Sequence, residues 1–330
     1  MNTFSVVLAI LSAIRQNHVT AILDLVSHLE CSLVHRDMDL KHCITWRSIA
    51  IRVALTLVLI LPATWAAAQD AKQQAIQSTK LKNVAMCNGE DHTAAGPQVS
   101  GCTALIESGL ENQQTLVIAY LNRGDALIGQ GKYDLAIKDF EESIKINPTY
   151  FKTYNNRGVA YSKKGEFDRA IADFDTAIRI NPEYAAAFAN RAETYEKKGD
   201  YVRALKDFDE AIRLRPTLAG VWNERCWTRA IVGELQTALT DCNEALRLEP
   251  NVAATLDSRG ITYLKLGQWA LAVADFNSAL QSDPKIPSSL YGRGFAKMKM
   301  GDVTGGNADI AAAKAIEQNI VSDFKRYGLN

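Results

Sequence analysis

Beyond residue 68 the sequence holds a single histidine, His92, of five in all. One imidazole cannot build a histidine-rich metal site, and Cys87, five positions before it, has no second Cys/His cluster to complete a zinc set. There is no C-x-x-C, which removes dithiol redox catalysis. No G-x-S-x-G, P-loop or dinucleotide fingerprint occurs. The sequence also lacks any excess of charge: 37 Lys and Arg balance 37 Asp and Glu. No global field therefore steers it toward nucleic acid or anionic lipid. These absences predict a protein that is not an enzyme, carries no metal or cofactor and does not bind nucleic acid. A content of 47% hydrophobic and 22% charged residues is that of a globular chain, not a disordered or collagenous one.

The first 68 residues differ from the rest. Arg47 and Arg52 precede VALTLVLILPATWAAA, an apolar run ending in small residues at Ala66 to Ala68. A basic stretch, an apolar stretch and an A-x-A site form the layout of a secretory signal peptide cleaved after about Ala68. The alternative is a membrane anchor, against which stand the shortness of the run and Pro62 within it. Residues 1–37 are unusual upstream of such a signal, and Met38 offers a conventional start. The expected location is the periplasm or the exterior of a bacterial cell. Cysteines 87, 102, 226 and 242 remain after cleavage, an even number that favours disulfides in an exported chain.

From residue 117 the chain repeats with a period of 34, in copies 117–150, 151–184, 185–218, 219–252, 253–286 and 287–320. Counting each copy from 1, position 15 is glycine six times, from Gly131 to Gly301. Position 20 is alanine until Gly306, and position 24 is phenylalanine except at Cys242 and Ile310. Position 32 is proline five times, from Pro148 to Pro284. Each copy reads as two amphipathic helices, the glycine capping the first and the proline closing the second. One helix pair cannot bury its apolar face alone, so the copies must stack.

Copy two, YNNRGVAYSKKGEFDRAIADFDTAIRINP, resembles the tetratricopeptide repeat in its spacing of aromatic, Gly, Tyr, Gly, aromatic, Ala, Phe, Ala and Pro. The resemblance covers all six copies. It implies an all-α, right-handed superhelical solenoid of antiparallel helix pairs. Residues 69–83 read as a polar, flexible linker, and 84–116 as a degenerate half-repeat that caps the first hairpin. In that segment GCTALIES parallels DCNEALRL, with Cys102 in the place of Cys242. Residues 321–330 would cap the far end.

Position 7 is arginine and position 23 aspartate in every copy: Arg123 and Asp139, Arg157 and Asp173, Arg191 and Asp207, Arg225 and Asp241, Arg259 and Asp275, Arg293 and Asp309. In a hairpin turning near position 16 these stand at equal height, so a charge-assisted pair holds each hairpin. Pairing with the preceding copy, or plain solvation, are the alternatives. Cys226 and Cys242 fall at positions 8 and 24, both facing the space between the two helices. They read as a disulfide, with two packed thiols the alternative. Cys87 and Cys102 would form a second bridge across the cap.

The resemblance further implies a protein- or peptide-binding scaffold, with positions 2, 5, 6, 9, 12 and 13 facing a concave groove. Asn122, Asn156 and Asn190 at position 6 could address an extended peptide backbone. Toward the C-terminus, Trp227, Ile261 and Phe295, with Ile231, Leu264, Tyr291 and Met298, read as an apolar partner site anchored by Trp227 and Phe295. The alternative there is burial by winding or by the C-terminal cap. A clamp for a partner's terminal carboxylate, known in some members, is not implied, because Leu121, Asp125, Asn155 and Val159 stand where its Lys and Asn residues would. A second reading makes the chain an assembly factor that holds cell-envelope components through its convex face or ends.

Overall fold

The computed structural model describes residues 52, 66–89 and 95–329. Met38, His92 and the apolar run at 53–65 lie outside the described residues. Two units divide the chain, Met1–Lys82 and Asn83–Asn330. Residues 66–88 form helix α1, whose portion in the first unit is almost wholly exposed. The stretch 69–83, expected as a flexible linker, is therefore helical. Its residues explain this: QDAKQQAIQSTKLKN contains neither Gly nor Pro and is rich in Ala, Gln, Lys and Leu, all good helix formers. Among the described residues no helix is long and apolar enough to cross a membrane.

The second unit is all helix. After α2 (Ala95–Ser108) come six hairpins: α3 (Gln113–Gly129) with α4 (Tyr133–Ile146), α5 (Phe151–Lys163) with α6 (Phe167–Ile180), and α7 (Ala185–Lys197) with α8 (Tyr201–Leu214). The other three pair α9 (Ala219–Val232) with α10 (Leu235–Leu248), α11 (Ala253–Lys265) with α12 (Trp269–Ser282), and α13 (Pro287–Lys299) with α14 (Val303–Ile316). Helix α15 (Ile320–Arg326) ends the array. Each helix packs on its hairpin partner and on the next hairpin, and the first helices of successive copies also touch.

Local chemistry sets these boundaries. The position-15 glycines all have positive φ, from 71° at Gly267 to 94° at Gly301, a region that residues with a Cβ enter at a cost. Each second helix ends on a residue of extended or near-extended backbone, such as Asn147 (φ −135°, ψ 93°); in five copies the following proline disfavours helical geometry there, and Glu317 takes the same geometry before Gln318. Ala136, Phe140, Ala170, Phe174, Ala204 and Phe208 have no exposed surface and fill the hairpins between the two helices.

The interior pair at positions 8 and 24 is closely packed. A Cβ built on Gly124 would lie 2.4 Å from the Phe140 ring, and one on Gly260 would lie 2.6 Å from Phe276. In copy four both positions are cysteine, joined as Cys226–Cys242 with the Cα atoms 5.4 Å apart. A second bridge, Cys87–Cys102, ties the end of α1 to α2, where Gly101 lets the two backbones meet.

All six arginines at position 7 make two-pronged pairs with the aspartate of their own copy, Arg123 Nε and Nη2 reaching Asp139 at 2.8 and 2.7 Å. A further contact was not foreseen. The remaining nitrogen, Nη1, reaches position 25 of the preceding copy, as in Arg191 to Asp175, Arg225 to Asp209, Arg259 to Asn243 and Arg293 to Asn277. Arg123 Nη1 reaches Thr103 in α2, which holds position 25 when Cys102 is set at position 24. Five of the six arginines thus close their own hairpin and tie it to the segment before, while Arg157 pairs with Asp173 and feels Glu141 of copy one only as a nearby charge. Copies four and six add a second cation: Arg229 and Lys297, at position 11, bond Asp241 and Asp309. These are also the two copies that lack phenylalanine at position 24.

Candidate functional site

The first helices, α3, α5, α7, α9, α11 and α13, carry positions 6, 9 and 12 on the face where successive copies meet. Across copies one to three this face is a hydrogen-bonded lattice. Asn190 Nδ2 donates to Asn155 Oδ1 at 2.9 Å, Asn155 Nδ2 to Asn156 Oδ1 at 2.9 Å, and Asn156 Nδ2 to both Asp125 oxygens at 2.7 and 2.9 Å. Asn122 Nδ2 donates to Asn88 at 3.3 Å. The three asparagines expected to address a peptide each spend an amide N–H on a neighbouring helix. They orient the lattice more than they present free donors.

The C-terminal half departs from the expected apolar partner site. Ile261 and Leu264 are core residues, 0% and 1% exposed, and cannot touch a partner. The cause is the segment that follows the last copy. Ile320, Phe324 and Leu329 join the buried cluster that holds Ile261, Leu264 and Leu290, with α15 against α13 and α14, and Tyr291 lies 4.5 Å from Phe324 between ring centroids. Tyr327 reaches back to copy four and meets Trp227 edge-on at 4.9 Å. Phe295 packs edge-on with Trp269 at 6.2 Å, under the Lys299 ammonium. Of the expected apolar set, Met298 is the one that is plainly exposed. Apolar side chains on this face draw their own C-terminus onto it.

Between the lattice and the cap, copies three and four place Glu193, Glu196 and Glu224 together. Burial lifts the Glu196 carboxyl to about 7, helped by the neighbouring Glu224 and Glu193, while a hydrogen bond from Thr228 (3.2 Å) and one from the Trp227 indole pull the other way. Burial likewise raises Glu193 and Glu224. In copy five, burial raises Asp257 to about 6 against hydrogen bonds from Ser289 and Ser288. Two hollows flank the glutamates. One, of about 300 Å³, is lined by Ala189, Glu193, Phe208, Leu218, Val221 and Glu224. The other, of about 400 Å³, is lined by Glu196, Lys197, Tyr201, Trp227, Arg326 and Tyr327. The cluster was legible only by comparing position 9 and position 12 of one copy with position 6 of the next. Among the described residues no group of His, Cys, Asp and Glu is arranged to hold a metal ion.

Comparison with known proteins bears on the repeats directly. The family model described as "Tetratricopeptide repeat" matches residues 151–184 and 185–218, and the one described as "TPR repeat" matches 124–165. No curated protein matches the chain. Among solved structures, a tetratricopeptide repeat protein from Parabacteroides merdae ATCC 43184 is similar with a TM-score of 0.57, at 18% identity over 77% of this chain and 98% of that one. The structure of the APC/C hetero-tetramer Cut9–Hcn1 gives 0.58 at 20% identity, over 70% of this chain and 49% of that one. Pseudomonas aeruginosa pilF gives 0.57 at 15% identity, over 65% and 99%. At these identities the likeness is one of fold.

Proposed function

We propose that this all-helical array of stacked antiparallel pairs, whose residues 124–218 match models of the tetratricopeptide repeat, is a non-enzymatic scaffold that binds a protein or peptide on the first-helix face. The observation that carries this reading is the middle of that face. The C-terminal segment packs on the last copies and reaches Trp227 of copy four, and copies three and four keep two hollows with a set of polar groups between them, one hollow being walled in part by Arg326 and Tyr327. A face that served packing alone would pair such groups, as the hairpins pair every position-7 arginine. The Cut9–Hcn1 hetero-tetramer offers a precedent for a related array within an assembly of chains.

We further propose that the chain works outside the cytoplasm, exported by the signal-like segment and held in the periplasm or released. Two disulfides within the folded unit support that compartment, since such bridges persist where thiols are oxidised. Fractionation with N-terminal mapping tests it: a mature chain beginning near residue 69 is the expected result, and an uncleaved cytoplasmic chain would refute it. For the binding reading, a photo-reactive residue in place of Glu193 should cross-link a partner that one on the outer face, in place of Glu210, does not. Equal labelling from both faces would remove the reading.

A further inference from the structure

The exposed acids and bases on the second helices sit mostly beside each other: Glu142 with Lys145, Glu210 with Arg213, Glu244 with Arg247. The glutamates of the first-helix face are different. Among the described residues no cation lies within ion-pair distance of Glu193, Glu196 or Glu224. Lys197 and Lys163 influence Glu193, and Lys197 influences Glu224, only at longer range. The three carboxyls instead oppose one another, which raises the cost of holding them ionised and close.

A second observation points the same way. Asn223, in the same turn as Glu224 and 8% exposed, donates through Nδ2 to Glu224 at 3.3 Å, but its Oδ1 accepts nothing. The equivalent oxygen in copy two, Asn155 Oδ1, accepts from Asn190 of the next copy. In copy five that place is taken by Ser258, whose hydroxyl is spent on the Ala254 carbonyl. The middle of the face therefore holds carboxylates without a cation beside a buried amide oxygen without a donor, flanked by a hollow whose walls include Ala189, Phe208, Leu218, Val221 and a further carboxylate, Glu249. What complements this is a ligand rich in donors and positive charge with a small apolar flank.

Resting on the scaffold reading above, we propose that copies three and four dock an extended, basic peptide segment of a partner protein. A lysine or arginine side chain is seated among Glu193, Glu196 and Glu224, and a neighbouring apolar side chain occupies the hollow beside Phe208.

The test uses the full chain and three fluorescein-labelled peptides of about a dozen residues, alternating alanine with lysine, serine or glutamate. Fluorescence anisotropy should show the lysine peptide binding and the other two not, with affinity falling between roughly 0.05 M and 0.3 M salt as screening predicts. The triple variant Glu193→Gln, Glu196→Gln, Glu224→Gln should weaken the lysine peptide by about tenfold or more. The outer-face triple Glu142→Gln, Glu210→Gln, Glu244→Gln should leave it within about twofold. Thermal melting confirms that both triples fold, and Glu224→Gln alone is the smaller change if the inner triple does not. Equal weakening by the two triples, or no preference for lysine over serine, overturns the proposal. Serine or glutamate peptides that cross-link to the inner face would do so while leaving the scaffold reading standing. If no peptide binds and no partner cross-links at position 193, both fall.

Discussion

Copy four can be rebuilt to test whether its disulfide and the glycine–phenylalanine pair of other copies fill the same place. The proposed change is Cys226→Gly with Cys242→Phe, compared with Cys226→Ala with Cys242→Ala. In copies one, two and five the phenylalanine ring sits where a Cβ at position 8 would be. In copy four the bridge spans that space, and both cysteines are 0% exposed. A crosslink over 16 residues contributes about 3 kcal/mol in the chain-entropy account. The double alanine variant loses this and leaves a void, which adds about 1 kcal/mol or more. The Gly/Phe variant also loses the crosslink, but burying a phenylalanine returns about 2–3 kcal/mol. It should therefore fall about 0–1 kcal/mol short of the oxidised parent and stay about 3 kcal/mol above the alanine variant.

A repeat array need not unfold in one step, so a single melting curve averages over copies. Native-state hydrogen exchange resolves them. Protection in α9 and α10 should drop strongly in the alanine variant, and in the parent under reductant. It should remain near the oxidised level in the Gly/Phe variant with or without reductant. The Cys87–Cys102 bridge reports separately, in residues 83–108. If the Gly/Phe variant loses as much protection in α9 and α10 as the alanine variant, the two arrangements are not equivalent and the reasoning fails.

Three further outcomes follow from buried charge and from the cap. Asp241→Asn leaves Arg225 and Arg229 without their shared carboxylate in a site where its side chain is 1% exposed, and should cost about 3–5 kcal/mol in urea unfolding; Asp275→Asn, which faces one arginine, should cost less. Glu196, lifted from 4.5 to about 7, binds its proton more tightly folded than unfolded, so the folded state loses stability as pH rises through that interval. Glu196→Gln should accordingly raise stability by about 1–2 kcal/mol at pH near 8, after allowance for its partial exposure, and change little near pH 4; an equal gain at both would refute the assignment. Phe324→Ala, at a fully buried ring, should lose about 3 kcal/mol and remove exchange protection from α13 and α11; a loss confined to α15 would show that the cap does not hold the last two hairpins.

How far the chain could be read from its residues depended on the distance over which each feature is encoded. The hairpins are local: Gly131 or Gly165 turns the chain, Asn147 before Pro148 stops it, and Phe140 fills the space opposite Gly124 within the same copy. The arginine–aspartate pairs lie 16 residues apart and follow from the hairpin itself. Their second contact, to position 25 of the copy before, needs two copies to be read side by side. The stretch 69–83 is as polar as a linker, yet it has no residue that breaks a helix, and it is helical.

The apolar half of the face departs from its local pattern for a different reason. Ile261 and Leu264 carry the pattern of a groove wall, and nothing in their own copy tells whether solvent, a partner or the chain's own end will cover them. What covers them begins at residue 320, and the link from Trp227 to Tyr327 crosses all of copies five and six. Periodicity cannot specify such a contact, since it arises from the accumulated rotation of stacked copies. The glutamate cluster has the opposite origin. Glu193, Glu196 and Glu224 come from adjacent copies and break a pattern that is asparagine at position 6 in the first three copies and apolar at positions 9 and 12 of copy five. In a repeat chain, a residue that departs from its equivalents and gains no partner inside the fold is where selection for something outside the fold leaves its mark. By that criterion Arg229 and Lys297 are accounted for by Asp241 and Asp309, whereas the three glutamates gain no cation, Glu196 and Glu224 being met only by hydrogen bonds from Thr228, Trp227 and Asn223, and the Asn223 oxygen gains no donor.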